Sequence, residues 1–292
     1  MSLEFNQIIT GERIQNLCDI YIGNKPDFDY NPFIQKQTHK HKLFDDILNT
    51  SFGEQYDNPK MIFCYGHNIE TFSKILPLFK NPFILITHNS DQNIFESNEV
   101  VKTILNHSNV ICWFSQNIGY VHPKLHMLPI GLANSMWEHG NLFKLYPIII
   151  NLPPVKTNHI FMNFKIETNY QKRIVCFHSF QNIIPFLPLV SAEENLKRLS
   201  YYKYCICPEG NGLDTHRLWE CFYLKVIPIV LKNTHTEIIK ENYGLPMILL
   251  NSWNDLNIGN MPDYYSFDFE TNYYKLQLSV LDIIINKNNI KK

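Results

Sequence analysis

The chain has 292 residues, 45% hydrophobic and 14% aromatic, with a formal net charge of −1. Such a composition excludes a disordered chain, leaves room for one large or two ordinary domains, and supplies no basic surplus for a nucleic-acid partner. Seven cysteines, an odd number with no CxxC pair among them, fit free thiols in a reducing compartment.

In chain order, Leu17–Ile22 is the first predicted strand. The polar, proline-interrupted KPDFDYNPF that follows is predicted as a loop. It contains Asp27-Phe-Asp29, which matches an Asp-x-Asp metal clamp in spacing but stands before a proline loop near the N-terminus, so no metal is assigned there. His39 and His41, in THKHK, are read as part of a solvated basic turn. From Lys60 the pattern becomes regular: strands at Met61–Tyr65, Phe83–Thr87, Val110–Phe114 and His126–Ile130, helices at His67–Phe79 and Ser97–Asn106. Strands alternating with helices imply a parallel sheet with right-handed crossovers. Ligands gather at the carboxyl ends of such strands. Three polar clusters fall there, Cys64–Asn68, Thr87–Asp91 and Ser115–Asn117, and the turn-rich Pro129–Asn134 and Trp137–Asn141 extend the same edge.

Tyr146–Thr157, with three prolines, is the expected linker between a domain of residues 1–150 and one of residues 151–292. The second opens with the strand His159–Phe164 and a polar segment carrying Asn163, Thr168 and Asn169. A helix from Tyr170 holds Lys172 and Arg173 near its start, where cations are unfavourable unless an anion sits beside them; a solvated pair is the plainer reading. Ser191–Leu199 is a further helix. Next comes YCICPEGNGLDTHRLWECFYLKVIPIVLKN: a strand (Tyr204–Cys207), a Pro-Glu-Gly-Asn-Gly loop, a helix (Thr215–Leu224) and a buried strand (Val226–Leu231). A strand feeding a glycine loop that opens a helix suits an anionic ligand, because the free N–H groups and the helix dipole both favour negative charge. Asp214 or Thr215 is the expected N-cap. Cys205 and Cys207 are read as facing opposite sides of their strand, which speaks against a metal pair. Arg217 and Glu220 share one face of an otherwise apolar helix. They either close on each other or grip a ligand, Arg217 on a diphosphate and Glu220 on ribose hydroxyls, with Gly210 and Gly212 letting backbone approach it. A helix at Thr236–Asn242, a strand at Met247–Leu250 and a helix over Tyr264–Ile285 complete the chain. No GxSxG elbow is present, and Gly210-Asn-Gly212 lacks the third glycine of a dinucleotide fingerprint, so a serine hydrolase and a dehydrogenase are both disfavoured.

The stretch CPEGNGLDTHRLWECFYLKVIPIVL resembles the donor-binding segment of exostosin-like glycosyltransferases, inverting enzymes of the GT-B architecture that use nucleotide sugars. Fainter likenesses at Thr87–Asp91, Phe114–Asn117, Pro129–Asn134 and Asn163–Arg173 extend it over roughly half the chain. The α1,3-fucosyltransferases carry a similar strand–loop–helix with a glutamate, which keeps a GDP-fucose donor open. A non-catalytic nucleotide-sugar-binding or lectin-like module is the alternative outside enzymes.

The resemblance implies two Rossmann-like domains with parallel sheets facing across a cleft, the last helix packing back on the first domain. It implies a nucleotide-sugar donor, UDP-linked by preference, a glycan or glycoprotein acceptor, and no metal, because cationic side chains and a helix start replace it. Eukaryotic relatives of this type usually carry an N-terminal membrane anchor. The start MSLEFNQIITGER lacks both a signal and a span of ~20 apolar residues, so a cytoplasmic or virus-encoded enzyme is expected. Inverting transfer needs a base for the acceptor hydroxyl, a positioned sugar and a stabilised leaving diphosphate. Asp91 is the first candidate base, with His88 to orient it; Glu138 and His139 are alternatives. The donor set is Glu209, Gly210, Asn211, Gly212, Asp214, Thr215, His216, Arg217 and Glu220, with Asn163, Thr168 and Arg173 from the earlier segment.

Overall fold

A computed structural model describes residues 3–49 and 59–290. Six strands form one parallel sheet: β1 (Ile20–Gly23), β2 (His41–Leu43), β3 (Met61–Tyr65), β4 (Phe83–His88), β5 (Val110–Ser115) and β6 (Leu125–Met127). Their order is β2-β1-β3-β4-β5-β6, so the direction of winding reverses between β1 and β3. Four more, β7 (Asn158–Phe161), β8 (Tyr202–Ile206), β9 (Ile227–Leu231) and β10 (Ile248–Leu250), form a second parallel sheet in the order β10-β9-β8-β7. The fold is therefore α/β with two parallel sheets, as expected.

Every residue of MIFCY and of FILITH is buried, as in strands covered on both faces. Alternate side chains feed two cores. Ile22, Ile62, Cys64 and Trp113 belong to a cluster that runs unbroken into Cys205, Trp219 and Phe222 of the second sheet's side. Tyr21, Phe63 and Phe114 meet Ile14 and, from the final helix Leu278–Ile290, Leu281 and Ile285. A third cluster fills the outer face of the second sheet, around Ile206, Ile229 and Trp253. Among the described residues no helix is long and apolar enough to cross a membrane.

Five local expectations are corrected. The first strand starts at Ile20, because Thr10 caps a helix over Gly11–Asn16. KPDFDYNPF is two short helices, Lys25–Asp29 and Pro32–Gln35: its prolines sit in first turns, where no N–H is required, behind Asn24 and Asn31. His41 is a strand residue whose ring stacks on Phe28 at 4.2 Å, not part of a solvated turn. The expected linker begins inside a helix, Leu142–Ile150, that runs through Pro147 because Leu145 and Ile149 are buried. At the chain's end, short turns over 264–276 precede the helix Leu278–Ile290 rather than one long helix.

Lys156 lies just before β7, beside the segments that lead into β8 and β9. Its ammonium is buried and donates to the carbonyls of Ser200 (2.5 Å) and Leu224 (2.7 Å). Burial, reinforced by nearby Lys225, pulls its pKa down to about 8. Between that value and the unfolded value near 10.4 the unfolded chain binds more protons, so this group makes stability rise with pH. Relative to Lys156→Met, the wild type is expected to gain up to about 2–3 kcal/mol as pH rises from about 8 to 10.4, read from urea midpoints. A difference between the two proteins that stays flat over that window contradicts the burial argument.

Candidate functional site

The loop after β8 and the helix it opens, His216–Tyr223, lie where the carboxyl edges of the two sheets meet. The helix keeps one apolar face, with Leu218, Trp219, Cys221, Phe222 and Tyr223 all buried. Its first turn is held by polar contacts to the first sheet's edge. Asp214 is the centre of these. One carboxylate oxygen accepts from Ile130 N (2.8 Å), the other from Thr215 N (2.9 Å), and both accept from the Trp219 indole (2.8 and 2.9 Å). Asn117 Oδ1 accepts from Asp214 N (2.8 Å), Asn93 Oδ1 from Leu213 N (3.1 Å), and His216 Nδ1 lies 2.8 Å from the Gly131 carbonyl. Thr215 is the N-cap residue but its side chain makes no cap bond, so it leaves first-turn amide donors unclaimed by a cap.

Besides an open groove of about 590 Å³ along His67, Asp91, Asn93 and Phe95, two clefts flank this junction. The larger, of about 460 Å³, follows the carboxyl ends of β1, β3, β4 and β5 and is lined by Asp27, Tyr30, Tyr65, His67, His88 and Asp91 on one side, with Trp137 and His216 closing it. The smaller, of about 410 Å³, follows β8, β9 and β10 and is lined by Lys172, Glu209, Thr215, Leu218, Lys232 and Trp253. Both sit where parallel sheets hold ligands. His216 faces one and Thr215 the other.

Several predicted site residues have their polar atoms engaged elsewhere. Asp214 is buried and fully bonded, so it is a junction residue and not a ligand group. A Cβ on Gly212 would lie 2.6 Å from the Asn117 side chain: this glycine serves the approach of the two sheets' edges, not of a ligand. Gly210 instead lies by Arg173, and its carbonyl accepts from Asn169. Asn163 is buried; its amide donates to Leu187 and Pro188 carbonyls, and its own carbonyl receives Arg217 at 2.6 Å. Thr168 is in a turn that lines neither cleft. His88 does not orient Asp91. Its ring lies 3.0 Å from the Pro129 carbonyl and 3.2 Å from Asn89, and burial lowers its pKa, whereas Asp91 accepts from Asn211 at 3.1 Å. Glu138 faces a separate crevice with Lys144 and Glu193. His139 stacks behind Trp137, edge-on to His216, and its pKa is lowered by partial burial and by that neighbour. Neither lines the larger cleft.

Arg217 and Glu220 are paired, Nε to Oε2 at 2.9 Å, with both side chains about one-fifth exposed. Burial works against the Arg217 charge, but Glu220 and nearby thiols more than restore it. The thiols correct a second expectation. Residues two apart on a strand share a face, so Cys205 and Cys207 point the same way and meet Cys221, all three Sγ within 4.8 Å and buried. Burial pushes Cys207 and Cys221 up, while at Cys205 the same burial is outweighed by bonds from those two and by Arg217.

Around the smaller cleft, cations outnumber carboxylates. Lys172 pairs with Glu209, and Arg217 with Glu220. Arg173 bonds only the carbonyls of Glu209 and Lys165, each at 2.8 Å, and among the described residues no carboxylate pairs with it. Burial and the neighbouring Arg217 both lower its pKa, the mark of a cation short of a counter-ion.

The sequence reading missed the Asp27–His67 pair, 2.9 Å apart, that lines the larger cleft. Its signals were present, a dismissed Asp-x-Asp and a polar cluster at the end of β3, but only the strand order brings them together.

No protein-family model matches the chain, and no curated protein matches it. Among solved structures it is similar to an alpha-glucosyltransferase in complex with UDP and a 13-mer DNA containing a central A:G mismatch. Identity is 9% and the TM-score 0.35, over 93% of this chain and 92% of that one, too loose a likeness to bear on substrate.

Replacing Asp214 with Ala would orphan the Ile130 amide and the Trp219 indole inside the protein. The expected loss of stability is about 3 kcal/mol, at one to two per buried unsatisfied donor. Urea unfolding monitored by tryptophan fluorescence measures it; an unchanged midpoint would remove Asp214 from the centre of the junction.

Proposed function

We propose that the protein is a GT-B-type glycosyltransferase that moves a sugar, with inversion, from a nucleotide-sugar donor, UDP-linked by preference, to a hydroxyl of a glycan or glycoprotein. The observation that carries this reading is the pair of clefts on opposite sides of one helix start, with a cationic surplus beside the smaller. A transferase needs two substrates brought edge to edge, and an activated sugar needs its leaving diphosphate charge met.

In this reading residues 151–292 bind the donor and residues 1–150 the acceptor. The nucleotide occupies the 410 Å³ cleft between Trp253 and Glu209, and its diphosphate lies at the start of His216–Tyr223. Arg173 supplies the counter-charge it now lacks, and Lys172 turns from Glu209 toward phosphate. Arg217 acts from behind, held by Glu220, as a fixed positive charge. The exostosin-like motif in the sequence supports the same assignment.

UDP and GDP titrated by calorimetry, followed by a panel of UDP- and GDP-sugars assayed for nucleotide release, test it. Binding of UDP is expected, with Arg173→Ala weakening it about 10- to 100-fold, the worth of one charge-assisted hydrogen bond to phosphate. Binding of neither nucleotide overturns the proposal. Binding without turnover of any nucleotide sugar would favour the lectin-like module instead.

A further inference from the structure

The larger cleft holds chemistry that the donor reading does not use. The first sheet winds outward from β1 to β2 and then in the opposite direction from β3, so its switch point lies between β1 and β3, the place where open parallel sheets bind ligands. Asp27 follows β1 and His67 follows β3. They meet there, His67 Nε2 at 2.9 Å from Asp27 Oδ1.

The carboxylate is fixed. Its other oxygen accepts from Asn68 Nδ2 and from Asn24 N, both at 2.8 Å, and the Tyr65 hydroxyl donates to the Asp27 carbonyl at 3.0 Å. Although partial burial works the other way, the bonds from His67, Asn24 and Asn68 hold the Asp27 carboxyl below its usual range. The side chain of His67 is 49% exposed and that of Asp27 only 13%. A largely shielded carboxylate behind an accessible imidazole is the arrangement of a base and its positioning group. In the same cleft, Tyr30 and Trp137 stand edge to face at 5.5 Å and remain 59% and 42% exposed. Large, wet aromatic faces beside polar groups suit a ring with one apolar face and several hydroxyls.

We propose that this cleft is the acceptor site, that its ligand is a sugar ring laid against Tyr30 and Trp137, and that His67 is the general base, with Asp27 as its positioning residue. The inference rests on the glycosyl-transfer reading above. His67 Nδ1 takes the proton of the acceptor hydroxyl while Nε2–H stays on Asp27. The acceptor oxygen forms its bond to the anomeric carbon as that carbon's bond to phosphate breaks, and the electron pair leaves with the nucleoside diphosphate. Asp27 steadies the imidazolium, which returns its proton to water through its exposed edge.

The test compares His67→Gln, Asp27→Asn and Asp91→Asn in the full chain, with the nucleotide sugar found active in the panel as donor and p-nitrophenyl monosaccharides as acceptors. His67→Gln is expected to lower kcat by about 10²- to 10⁴-fold with acceptor KM and UDP affinity held, and to abolish the acid limb of the kcat/KM profile. A purely structural role would leave that limb in place. Asp27→Asn is expected to lower kcat at least about tenfold; should it fail to fold, His67→Gln, altered at a half-exposed ring, decides alone. A loss confined to Asp91→Asn, with His67→Gln active and its acid limb intact, overturns the assignment and leaves the transferase reading standing. A wild type that binds no nucleotide overturns that reading and, with it, this one.

Discussion

Asp214 is the interaction on which the geometry depends. Its carboxylate joins the amide of Ile130, on the first sheet's edge, to Trp219 and Thr215, at the start of the second sheet's central helix. The two clefts are therefore not independent pockets. Each is built on the carboxyl ends of its own sheet, yet both take part of their wall from the same short stretch, Thr215 and Leu218 on one side and His216 on the other. A buried carboxylate satisfied by several donors is costly to dislodge, and the continuous core from Trp113 to Trp219 and Phe222 adds apolar burial to the same seam. The distance between the two clefts is set there.

The charges near the helix sort by burial. Arg217 is paired with Glu220, braced on the Asn163 carbonyl and set over the Phe161 ring at 5.4 Å. Those contacts fix it as a background charge. Arg173 also lies over a ring, Phe164 at 5.9 Å, but it has two carbonyls and a like-charged neighbour in place of a carboxylate. An arriving anion gains most beside the second. The arginine that stands out in the helical pattern is thus the braced one, and the one with capacity to spare lies forty-four residues earlier, in the helix Tyr170–Phe180.

Much of the architecture was legible because strands buried on both faces are nearly all apolar and the helices between them are not. The two parallel sheets, and the polar clusters at their ends, follow from that contrast. What periodicity cannot carry is strand order: β1 and β3 are neighbours, with β2 on the outside, and only that order sets Asp27 beside His67. Proline also misled, marking loops at 25–33 and at Pro147 where it occupies a helix's first turn or its interior. The glycine loop was recognised as special, but Gly212 makes room for Asn117, and a sequence cannot say whether close backbone approach serves a ligand or another part of the same chain.

The most direct measurement is a crystal structure with UDP bound. The nucleotide is expected in the cleft between Glu209 and Trp253, with the diphosphate at the start of His216–Tyr223 and within reach of Arg173. Nucleotide density in the other cleft, against His67 and Trp137, would contradict it.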